Sequence, residues 1–258
     1  MKINFLYLVL TTFIFLFLGC KDEIIVDESF AEADLNSSTF VLTTSMPTND
    51  TRVALTPDGK NVGLTWEESD EIQLVFIQAE MKIKQVVEVE NISTDGKNAT
   101  FSVNVPEDFT DGTFDLYGIY GGGGLNDLDP TLAILPTNSS DGSLESIQNN
   151  EDVMLYFVQK DVEVDAPSAT VLFKHLGSLF TITLQNTSSS PLSLSEVRLI
   201  SDTTDWAFNY GLVGEVYNLV NEEFINIATA SGGYLSFTSP ETSLSAGEFI
   251  VIRGWYPP

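Results

Sequence analysis

A single histidine and a single cysteine bound the side-chain chemistry open to this 258-residue chain. Any Ser-His-Asp arrangement must use His175, yet no Gly-x-Ser-x-Gly spacing occurs to present a serine on a strained turn. Cys20, alone, has no disulfide partner within the chain. Paired carboxylates for glycoside hydrolysis could be chosen anywhere among 37 Asp and Glu residues, so their presence discriminates nothing. Asn126-Asp127-Leu128-Asp129 and Glu67-Glu68-Ser69-Asp70 hold oxygen ligands but lack the twelve-residue spacing of a calcium loop, and solvated loop acids are expected. Gly121-Gly122-Gly123-Gly124 has neither the helix start nor the basic residue that cradles a phosphate. Trp66, Trp206 and Trp255 would make a sugar platform if exposed together. Trp66 is expected in a core, whereas Trp206 sits among Asp202, Thr203, Thr204 and Asp205 and stays open. The residues therefore point to no catalytic group, no metal site and no cofactor.

Composition narrows the partners. The formal net charge is −26, with 11 Lys+Arg against 37 Asp+Glu, which rules out the basic footprint that nucleic acid requires. A hydrophobic fraction of 43% and an aromatic fraction of 11% supply ample material for packed cores. The acidity suits solubility and mutual repulsion on a crowded exterior.

The elements that must position these residues are short and β-like. Thr39 to Ser45 is the first β-rich run, ended by Met46-Pro47. Arg52 to Thr56 ends at Pro57-Asp58-Gly59, and Val62 to Trp66 and Ile72 to Gln78 follow. Alternating runs at Val86 to Glu90 and Ala99 to Val105 flank Thr94-Asp95-Gly96-Lys97, which predicts a hairpin. Further runs are Thr113 to Tyr120, Leu132 to Leu135, Asp152 to Gln159, Ala169 to Phe173, Leu176 to Gln185 and Leu192 to Ile200. The C-terminal part adds a Trp206-Phe208-Tyr210 segment, Glu215 to Val220, Phe224 to Ile227, Tyr234 to Phe237 and Phe249 to Trp255. No amphipathic pattern long enough for a helix of about ten residues occurs. An all-β chain built of sandwiches is expected. Asp161 to Ser168, polar and carrying Pro167, is the expected domain boundary.

The N-terminus carries an address. Met1-Lys2 precedes the apolar run Ile3 to Leu18, short for a bilayer of about 30 Å and suited to a signal peptide. The run ends at Phe17-Leu18-Gly19-Cys20, which resembles the lipobox of bacterial lipoproteins, with Phe17 where leucine is usual. The resemblance implies cleavage before Cys20 and acylation of its thiol and amine, holding the protein on the outer membrane without a spanning helix. No thiol would then remain for catalysis or metal binding. Removing the leader, whose one charge is Lys2, leaves the chain at −27. Lys21-Asp22-Glu23 resembles the signal that carries Bacteroidetes lipoproteins to the cell surface.

Past the tether the chain resembles the Bacteroidetes fimbrillin-like (Mfa-like, type V pilin) lipoproteins. The likeness rests on Thr51-Arg52, then Val62-Gly63-Leu64-Thr65-Trp66 and Asp70-Glu71-Ile72, then Phe114 to Tyr120, where Gly121 replaces the usual proline. Asp152 to Tyr156 and Val171 to Leu179 resemble the link into a second domain and its first strand, so His175 is expected to be structural. The resemblance implies two tandem transthyretin-like β-sandwich domains behind a signal peptide and short tether. The divisions are a signal peptide over 1–19, an acidic tether over 20–38, an N-terminal domain over 39–160 and a C-terminal domain over 161–258, expected to be truncated or naturally one or more strands short. It also implies polymerisation by strand addition after an arginine-specific cut removes an N-terminal strand, and Arg52 stands where that cut would fall. The expected role is a non-enzymatic pilus subunit, anchor or tip, exposed at the cell surface, with other pilin subunits as partners. The alternative is a surface lipoprotein that binds a host or bacterial ligand or glycan.

Overall fold

Alternation builds the first strand directly. In β1 (Thr39–Ser45), Phe40, Leu42 and Thr44 point inward and are buried, while Thr39 and Val41 are exposed. The computed structural model describes residues 38–47, 56–58, 61–136, 141–149, 152–200, 216–225, 234–237 and 242–256. β2 (Thr56–Asp58) and β3 (Asn61–Gly63) pair antiparallel, so Pro57 and Asp58, expected in a turn, belong to a strand, while Gly59 lies outside the described residues. β4 (Glu71–Gln78) and β5 (Met81–Glu88) form a hairpin, with Ala79 at φ 52° in its turn. β6 (Asn91–Ile92), β7 (Asn98–Asn104), β8 (Thr113–Tyr120) and β9 (Leu132–Ile134) follow, then the short helix α1 (Leu144–Asn149). β10 (Leu155–Glu163), β11 (Ser168–Leu172) and β12 (Lys174–His175) complete the larger sheets.

Two sheets, ordered β11-β1-β7-β6 and β12-β10-β8-β4-β5, meet face to face. Phe40 packs on Phe114 with ring centroids 6.4 Å apart, Phe157 on Phe173 at 5.2 Å, and Trp66 on Phe101 at 5.4 Å. Trp66 is buried, as expected. No charged residue occurs in the strands of the β11-β1-β7-β6 sheet; its outer face carries Thr, Ser and Asn together with exposed Val41 and Leu172.

The C-terminal part contributes smaller pairings. β13 (Ser178–Gln185) lies along β20 (Phe249–Tyr256), β14 (Leu192–Leu194) along β19 (Thr242–Leu244), and β15 (Val197–Ile200) along β18 (Tyr234–Phe237). β16 (Val216–Asn218) sits between β17 (Glu223–Ile225) and β9. The chain is thus all-β with several sheets. Among the described residues no helix is long and apolar enough to cross a membrane.

Three features differ from the pattern in the sequence. The strand that turns through Thr94-Asp95-Gly96-Lys97 onto β7 is the short β6, because β5 is occupied by β4 and the chain changes sheets at Val89 and Glu90. β5 begins at Met81, where Lys82 and Lys84 interrupt the apolar run because they reach out to Asp129 and Asp127. The expected 160/161 boundary falls inside β10, which continues past Asp161 (φ 55°) through a register shift between Gln159 and Val162. β11 and β12, beyond that boundary, pair with β1 and β10.

Candidate functional site

Two places in the described residues combine specific chemistry with a defined shape. The first is the seat of β1. This strand lies between β11, parallel to it, and β7, antiparallel to it, so both of its edges are hydrogen-bonded. Its ends are tied as well: Val105 N–H donates to Ser38 O at 2.9 Å, and Met46 N–H donates to Lys97 O at 2.9 Å. Phe173 N–H donates to Ser45 O at 3.0 Å. An N-terminal strand in the middle of a sheet leaves a complete slot if it is withdrawn, with unpaired backbone on two sides and an apolar floor.

The second is a cleft of about 320 Å³. Three separate segments form it: the loop at Glu67 running into β4 as far as Gln73, the end of β8 with Gly121 and Gly122, and the end of α1 at Gln148 and Asn149. Asp70, largely buried, accepts from the Tyr120 hydroxyl at 3.2 Å and from the Glu67 N–H at 2.7 Å. The Tyr120 ring stands edge-on to Trp66 at 5.6 Å and 89°. Gly122 adopts φ +70°, and a Cβ there would sit 2.7 Å from Met154 Sδ, so glycine is required for this wall. Beyond α1, Asp152 caps the helix by donating its N–H to Ile147 O at 3.0 Å, but its carboxylate is buried with no hydrogen-bond partner among the described residues. Burial pushes that carboxyl up to about 7.

The predicted site residues fare unequally. Cys20, Lys21, Asp22, Glu23 and Arg52 lie outside the described residues, as do Trp206 and Tyr210. His175 stands in β12, half-buried and opposite Leu155 of β10. Asn126 Oδ1 accepts the N–H groups of Leu128 and Asp129 at 2.8 Å and 3.2 Å. Asp129 bridges to Lys82 at 3.0 Å and Asp127 to Lys84 at 2.5 Å, so lysines compensate the acids of this loop. The Thr131 hydroxyl, then Lys82, holds Asp129 below the usual carboxylate range, and Lys84 does the same for Asp127. Among the described residues no group of three acidic, His or Cys side chains could hold a metal ion. Tyr120, Gln148 and Asn149 were not singled out from the sequence as site residues. The aromatic alternation of β8 pointed to Tyr120 as a strand residue, whereas six-residue α1 is too short to show a period.

No protein-family model matches the chain, and no curated protein matches it in sequence. Among solved structures it is similar to the fimbrial anchor protein Mfa2 from Porphyromonas gingivalis, at 11% identity and a TM-score of 0.40. That alignment covers 86% of this chain and 73% of the other. It is also similar to a leucine-rich repeat protein from Bacteroides thetaiotaomicron, at 10% identity and a TM-score of 0.26, over 86% of this chain and 22% of that one. Both likenesses are distant.

Proposed function

We propose that this chain is a fimbrillin-like surface lipoprotein, acting without enzymatic chemistry as a pilus subunit, anchor or tip that supports adhesion. Acylation at Cys20 attaches it to the outer membrane, Lys21-Asp22-Glu23 directs it to the cell surface, and subunits join by strand addition. The observation that supports the reading is the position of β1. It is the first described strand, it precedes Arg52 in sequence, and it fills the interior of the uncharged sheet between β11 and β7. A cut at Arg52 would free the strand to leave. The slot would then accept another chain's strand through the same main-chain ladders, with bulky residues at the positions of Phe40 and Leu42 setting register.

The test treats the purified full chain with an arginine-specific protease and follows mass and oligomeric state. A new N-terminus at Val53, loss of the β1 fragment and detergent-resistant ladders that Arg52→Ala abolishes are expected. A cleaved chain that keeps its β1 fragment and stays monomeric would overturn strand exchange. A second reading, a surface lipoprotein that binds a glycan or other ligand, draws on the polar cleft rather than on β1.

A further inference from the structure

We infer that the cleft walled by Tyr120, Ser69, Gln148 and Asn149 is a binding site for a neutral saccharide. The inference is independent of strand addition, since none of these residues belongs to β1 or its neighbours in that sheet.

Shape comes first. About 320 Å³ lies at the small end of ligand sites, which run from roughly 300 to 1,000 Å³, and suits one or two sugar rings. The walls are held before any ligand arrives. Tyr120 is braced by Trp66 and hydrogen-bonded to Asp70, whose other oxygen is taken by the Glu67 N–H. The Gln73 carboxamide is fixed by accepting from Leu125 N–H at 2.8 Å. A pre-organised cleft loses little entropy when it is filled.

The lining chemistry then selects the ligand. Ser69, Gln148 and Asn149, all accessible, each both donate and accept, while Glu67 and Glu71 add strong acceptors. A sugar hydroxyl also donates and accepts, so it satisfies both kinds of group. An organic ammonium ion offers donors only, so it engages the carboxylates and carboxamide oxygens but leaves the carboxamide N–H groups to solvent. An anion meets carboxylates, with no Lys, Arg or His lining the cleft among the described residues. An apolar ligand would find only Ile119 and the Tyr120 ring as substantial partners.

The test uses the full chain on an array of neutral and sialylated glycans, followed by saturation-transfer NMR with lactose, 3′-sialyllactose and putrescine. Neutral glycans should bind with a dissociation constant on the order of 1 mM, and sialylated ones more weakly. The double variant Gln148→Ala, Asn149→Ala, at two exposed positions, should weaken neutral-glycan binding about tenfold or more with the melting temperature unchanged. No neutral glycan bound, preference for putrescine, or binding indifferent to the double variant would each overturn the inference. Retained saccharide binding alongside failed polymerisation would sink strand exchange alone, so the two failures are distinguishable.

Discussion

Phe40 on the first strand and Phe114 on the opposing sheet pack their rings 6.4 Å apart at 50°, which joins β1 to the sandwich core by side chains as well as hydrogen bonds. Both residues are almost fully buried. Phe40→Ala removes that contact and leaves a cavity, at an expected cost of about 3–5 kcal/mol in urea unfolding. Val41→Thr, one residue along on the exposed outer face, should change stability by less than about 0.5 kcal/mol. Equal effects of the two variants would show that β1 is not seated as described.

The glycine run gives a second comparison. Gly122 and Gly112 both have positive φ, at +70° and +77°, but a Cβ meets Met154 and Ile134 at the first and open space at the second. Gly112→Ala should cost about 1–2 kcal/mol from backbone conformation alone. Gly122→Ala should cost roughly 1–3 kcal/mol more, from overpacking. Thermal unfolding of both variants checks the difference.

Asp152 predicts a pH dependence with a definite sign. Its folded-state carboxyl titrates near 7 against an ordinary 3.8, so the fold favours the protonated form. Stability from this group is fully present below the unfolded value of 3.8 and is lost as pH rises through about 7. The loss amounts to as much as about 4 kcal/mol, at 1.36 kcal/mol per unit. Asp152→Asn should flatten the profile between pH 4 and 7 and be more stable than the parent at pH 8. A steeper or unchanged profile in denaturant titrations would count against the buried, unpaired carboxylate.

The N-terminal reading can be checked in cells. Cys20→Ala should abolish palmitate labelling and leave unprocessed precursor on a gel. Replacing Lys21, Asp22 and Glu23 with alanine should keep the protein inside the outer membrane. Undiminished digestion by protease added to whole cells would remove the export signal from the account.

Local periodicity and turn chemistry encode part of this fold directly. Alternation in Thr39–Ser45 and in Asn98–Asn104 assigns each side chain a face before any partner is known, and both strands formed accordingly. The Asp95-Gly96 turn formed because Gly96 can take φ +69° while Asp95 accepts from the Lys97 N–H and the Ser93 hydroxyl. Tertiary structure alone decided which strands became neighbours. Nothing in β1 names the distant β11 as its parallel partner, because pairing between strands is chosen by how whole faces pack and not by a local period. The same holds for the cleft. Asp70 and Tyr120 come from segments fifty positions apart, and Gln148 and Asn149 end a helix too short to show in a pattern. Burial of Asp152 is likewise a property of what surrounds it, since an aspartate beside an apolar run reads in sequence as an ordinary exposed acid.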